Sequence, residues 1–164
     1  MSVTYSSYLV AGIALNEYFT NVHEKDESYE EHDSHGNLTG KIIKKSGLYA
    51  SKPDKKLVKI GNKNSYGNWD FDFYNSIDFD CDLYIGENKD DDCKLELYMV
   101  DHESEKLSEY VIGIKISEIT DYKNIKEVNL EKISTISILV TKQLKKYFNY
   151  IGFVKLYLMN YIGY

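Results

Sequence analysis

The chain has no arginine. All twenty of its basic residues are lysine, which excludes the planar, two-pronged recognition of phosphate, carboxylate or guanine that a guanidinium supplies. One proline and two cysteines occur in 164 residues. Two cysteines cannot staple a small scaffold and fit reduced thiols. No run approaches the roughly eighteen apolar residues that a membrane-spanning helix needs. The first residues also lack a basic-then-apolar leader pattern. A cytoplasmic protein is therefore expected, in the host cytoplasm if the source is viral. Little alanine beside abundant Lys, Asn, Ile and Tyr points to an AT-rich genome, that of a phage, a virus or a low-GC bacterium.

What is present argues for a folded globule. Hydrophobic residues make up 43% and aromatics 14%, with sixteen tyrosines, a composition that buries a core and supplies contact surface. The length fits a single domain, 1–164. A net charge of −6 disfavours direct binding to nucleic acid or to an anionic membrane as the main activity.

The most patterned stretch is 68–100. Trp69, Phe71 and Phe73 alternate with Asp70 and Asp72, and Phe79, Cys81, Leu83 and Ile85 alternate with Asp78, Asp80, Asp82 and Tyr84. Period-two alternation places apolar side chains on one face of a strand and carboxylates on the other. With Asn75, Ser76 and Ile77 as the loop, Phe73 faces Phe79 and Phe71 faces Cys81, while Asp72 faces Asp80 and Asp70 faces Asp82. A third run, 93–100, sets Leu95, Leu97 and Met99 on one face and brings Glu96 opposite Asp82. In this register Cys81 and Cys93 both face the core, four residues apart along the sheet, too far for a disulfide.

Directly opposed like charges in a sheet cost up to about 1 kcal/mol a pair, and aspartate is a poor strand former. Solvation on an exposed face, a bound cation or a basic partner would each compensate. Asp78-x-Asp80-x-Asp82 opens like a calcium loop, but Leu83 stands where glycine is required and Lys89 where glutamate is, which excludes an EF-hand.

Elsewhere, 3–14 reads as a strand in which Gly12 marks a bulge or a close backbone contact. Residues 19–40 hold His23, His32 and His35 among six carboxylates and read as a mobile loop or hairpin tip turning at His35-Gly36-Asn37. His32, Asp33 and His35 are weak metal-ligand candidates, with donors suited to a divalent ion but no recognised spacing; no cofactor is expected. Residues 41–48 and 56–60 read as strands joined through Pro53-Asp54. Eight lysines from Lys41 to Lys63 face one acid, Asp54. They form either the internal complement of the acidic segments or a phosphate-contacting patch. Residues 109–116 read as a strand. A helix follows, capped by Asn124 or Asn129, with apolar residues from Leu130 to Phe148 at helical spacing and Gly152 as its stop. Residues 153–162 read as a last strand, either interior or an aromatic edge covered by a partner.

The expected fold is α+β, a mostly antiparallel meander with one principal helix packed on one face. The expected function is a non-enzymatic protein-binding module of the kind phages use as inhibitors. It would present Asp70, Asp72, Asp78, Asp80, Asp82 and Glu96 as a nucleic-acid-like surface to a basic partner, such as a nucleic-acid-binding enzyme. Alternatives are a metal-dependent phosphodiesterase built on the clustered carboxylates and a structural or homo-oligomeric protein assembling through its C-terminal strand.

Overall fold

The structure, a computed structural model, describes residues 4–77, 95–100, 106–120 and 127–163. In chain order these form β1 (Thr4–Ala14), a single turn α1 (Leu15–Tyr18), β2 (Thr20–His32), β3 (Leu38–Ser51), β4 (Leu57–Lys63), β5 (Trp69–Phe71) and a short helix α2 (Phe73–Ile77). After these come β6 (Glu96–Met99), a 3-10 turn (Leu107–Glu109), β7 (Tyr110–Thr120), α3 (Leu130–Phe148) and β8 (Lys155–Gly163). The fold is α+β, with two antiparallel four-stranded sheets and one principal helix. The chain divides into two compact units, Met1–Tyr18 with Asp80–Tyr164, and Phe19–Phe79.

The first unit holds the sheet ordered β6-β7-β1-β8. Gly12 lies directly opposite Gly113 of β7, and a Cβ on either glycine would stand 2.2 Å from a backbone oxygen of the other strand. Gly12 therefore marks a close approach, and the bulge falls at Leu9/Val10 instead. Both faces of this sheet are apolar. Val10, Val111 and Met159 cluster with Tyr8, Tyr98 and Tyr157 on one face. None of that cluster comes from α3, which packs on β1 and β7. The helix therefore covers the other face, where Ala11, Ile13, Ile112 and Ile114 are buried. Ile136, Val140, Leu144 and Phe148 are the helix's buried stripe, and Tyr18 meets Phe148 edge to face at 5.9 Å. The Asn129 side chain caps α3 by accepting from the Glu131 N–H. The helix stops before Gly152: Asn149 takes the left-handed conformation at φ 53°, and asparagine is the residue after glycine that tolerates it.

The second unit holds the sheet ordered β2-β3-β4-β5. Here two expectations are corrected. Residues 20–32 form a strand and not a mobile loop, because ten of the thirteen residues of β2 pair antiparallel with β3. The turn does fall where expected, with Gly36 at φ 81°. Residues 73–77 form a helical turn and not the end of a strand and its loop. Phe73 and Ile77 are both buried, and one helical turn sets residues four apart on the same face. Phe73 stacks on Phe71 at 4.8 Å and on Phe19 at 6.2 Å, closing a small core with Leu48, Ala50 and Ile60.

Candidate partner-binding surface

The β2–β3 pair is a long ribbon. β4 pairs only with Gly47–Ser51 of β3, so the distal half, from Asp26 through the turn to Ser46, runs on with two strands. Directly opposed residues share a face. One face carries Lys25, Glu27 and Tyr29 opposite Gly47, Lys45 and Ile43. The Glu27 carboxylate is its hub, accepting from the hydroxyls of Tyr29 and Tyr49 and from Lys59 Nζ, while Lys59 also donates to the Tyr29 hydroxyl at 2.9 Å. The Lys59 ammonium, then Tyr29, hold the Glu27 carboxyl below its ordinary range. Burial pushes the Lys59 ammonium down, but Glu27 and Tyr29 together outweigh it and raise the net value. Gly47 leaves the room: a Cβ there would stand 3.0 Å from Lys59 Cε and 3.1 Å from Glu27 Cδ.

The other face carries Glu24, Asp26, Ser28 and Glu30. Ser46 Oγ donates to Asp26 at 3.0 Å. Lys63 pairs with Glu24 at 3.3 Å and lies over the Trp69 ring at 5.2 Å. Nearer the tip Lys41 pairs with Glu31 at 3.5 Å. Three lysines of the 41–63 segment thus neutralise three acids of β2, which makes that segment the internal complement of the acidic strand. Exposed pairs contribute at most about 1 kcal/mol each, so their effect is on register and surface charge more than on stability. Asp26 and Glu30 have no ion pair among the described residues. Where β3 passes the end of β4, an open hollow of about 930 Å³ is lined by Lys44, Lys45, Lys59, Lys63 and Asp70 among others.

The acidic residues singled out from the sequence do not gather on one sheet. Asp70 is exposed on β5 opposite Asn62 and accepts from the Asn64 side-chain amide at 3.1 Å. Asp72 leads into α2, its N–H donating to the Ile60 carbonyl at 2.9 Å. Glu96 belongs to the first unit, opposite Gly113 on β6, and accepts from the Tyr98 hydroxyl at 3.0 Å. The continuous meander drawn over 68–100 is broken because β5 pairs with β4, residues 73–77 coil, and β6 pairs with β7. Asp78, Asp80, Asp82, Cys81 and Cys93, with the pairing drawn for them, lie outside the described residues.

His32, Asp33 and His35 sit at the tip of the ribbon. Asp33 Oδ1 accepts from the N–H groups of His35 and Asn37 at 2.8 and 2.9 Å, and Oδ2 from the Asn37 side chain at 3.2 Å. The bonds from Asn37 lead in holding its carboxyl low. Three of its acceptor positions are taken by the turn. His32 Nδ1 lies 3.1 Å from the Glu30 carbonyl and His35 Nδ1 3.3 Å from Ser34 Oγ. Among the described residues no three His, Cys, Asp or Glu side chains group to hold a metal ion, and no helix is long and apolar enough to cross a membrane.

Sequence reasoning missed β2 as an ordered acidic strand. The signal was there as a reflection: folding the chain about Gly36 sets Glu31 on Lys41 and Glu27 on Lys45, acid against base. No family model matches this chain, and no curated protein or solved structure is significantly similar to it.

Proposed function

We propose that the chain is a protein-binding module that meets a basic partner along the acidic edge strand β2. One observation carries this reading: β2 is a thirteen-residue edge strand, exposed along most of its length, with five carboxylates against one lysine. Two of the five, Asp26 and Glu30, are left over after the internal ion pairs among the described residues. A strand that only closed a sheet would bury one face, whereas this one exposes both. Alternate strand residues lie about 6.6–7 Å apart, so Glu24, Asp26 and Glu30 stand in one row on one face, with Ser28 between the last two. The finer form of the proposal is mimicry. The partner is a nucleic-acid-binding enzyme whose basic groove this row of carboxylates occupies, with Asp70 and Asp72 of the same unit extending the recognition set.

The test is capture of the partner from native host extract on the immobilised full chain, followed by binding of the purified pair. Asp26→Lys with Glu30→Lys, both exposed, is expected to weaken binding at least about tenfold and to flatten its salt dependence. Asp70→Asn with Asp72→Asn reads the second acidic position. Binding indifferent to all four changes and to salt abolishes the proposal. Failure of duplex DNA to compete removes the mimicry alone.

A further inference from the structure

The strand β8 ends its sheet, with β1 as its one partner among the described residues. Natural edge strands are usually blunted by charge, proline or brevity. β8 has no proline, is not short, and carries one charge. It is nine residues long, and Lys155 is the single charge anywhere in 147–164. That ammonium is already held by Glu17 at 2.8 Å. Leu156 and Leu158 oppose Ala11 and Leu9 and so lie on the face that α3 covers further in, yet they are 49% and 69% exposed. The helix packs on β1 and β7 and leaves these two leucines at its flank. Phe153, just before the strand, is 89% exposed.

We propose that β8 is a dimerisation edge, on which a second copy of this chain lays its own β8 antiparallel, joining two four-stranded sheets into one of eight. The occupant follows from symmetry and charge. An antiparallel pair of identical strands is related by a twofold axis perpendicular to the sheet, so the surface is complementary to itself. That axis keeps the same face upward in both copies, so even-numbered positions meet even-numbered positions. Leu156 and Leu158 of both chains then line one trough between the two α3 helices. Among the described residues β8 brings no unpaired charge to the seam, so two chains of net −6 meet along a strand that adds little like-charge repulsion. The outward backbone groups of β8 gain partners, and the exposed leucines leave water.

The test is the mass of the full chain in solution by sedimentation or light scattering over a wide range of concentration. Twice the 19.1 kDa of the chain is expected. Leu158→Lys is expected to weaken association by at least about tenfold with an unchanged circular dichroism spectrum, since the side chain is largely exposed within one chain. Leu38→Lys, on the separate exposed Leu38 of β3, should leave the mass at two chains. A wild-type mass of one chain at every concentration overturns the proposal, as do a mass growing beyond two chains and a Leu158→Lys variant that stays dimeric. Should that variant fail to fold, hydrogen exchange in the unaltered chain decides. Protection of the 155–160 amides that falls on dilution supports the seam, and protection independent of concentration overturns it.

Discussion

Glu27 shows how one side chain can fix the register of a strand. Its carboxylate gathers Tyr29 of its own strand, Tyr49 of β3 and Lys59 of β4, so a slip of β2 by one residue would turn it to the opposite face. Glu27→Gln keeps the shape and removes the charge. The pair is neither open to water nor fully enclosed, with side chains 14% and 29% exposed for Glu27 and Lys59, so a loss of about 1–2 kcal/mol is expected. Urea unfolding read by fluorescence measures it, because Trp69 of β5 is the chain's one tryptophan and reports the second unit. The pH dependence follows from the depressed carboxyl. Its folded value lies below the ordinary 4.5, so its contribution is complete above 4.5 and is lost as pH falls through the lower folded value. The wild-type chain should lose stability on that acid limb, and Glu27→Gln should flatten it. Gly47→Ala acts on the same group from the other side. Its new methyl crowds Lys59, Tyr49 and Glu27, and a smaller loss in the same assay is expected.

At the scale of elements, the strands and helix with strong local signals were legible. The alternation of 3–14 and 109–116, the heptad-like stripe of α3 and the asparagine before it each determine structure through near neighbours. Where local signals conflicted, reading failed. Residues 20–32 are rich in glutamate, a poor strand former, and β2 is supported by Lys41 of β3 and by Lys59 and Lys63 of β4, which is a tertiary effect. Phe73 continues the alternation of Trp69 and Phe71, yet the burial of Phe73 with Ile77 selects a helical turn. α3 ends three residues before Gly152 because Asn149 also tolerates the left-handed conformation, though less readily than glycine. That assignment is checkable. Asn149→Gly should raise the stability of the first unit slightly, and Asn149→Val should lower it by about 1 kcal/mol or more, both read by thermal unfolding followed at the helical circular dichroism band.

At the scale of the whole molecule the two proposed contacts have opposite physics, and one variable separates them. β2 would engage its partner by unlike charges, and β8 would engage its copy by an uncharged seam between chains that both carry −6. Screening length falls from about 10 Å at 0.1 M salt to about 3 Å at 1 M. Added salt therefore removes attraction at β2, where charge supplies the encounter and part of the affinity. At β8 the same salt removes the long-range repulsion between two acidic chains and leaves the burial of Leu156 and Leu158 untouched. Partner binding should weaken steeply from low to high sodium chloride, while self-association should hold or tighten over the same range. Titrations of each at matched salt concentrations measure the two slopes. Glu30→Lys makes each chain less acidic by two charges, so it should flatten the first slope by removing attraction and the second by removing repulsion. Leu158→Lys should weaken self-association and leave the partner's slope unchanged, because its charge lies on a different sheet from β2. If both contacts weakened together with salt, the copies would be meeting through charged strands, and the seam would have to be sought on β2 and β3 instead of β8.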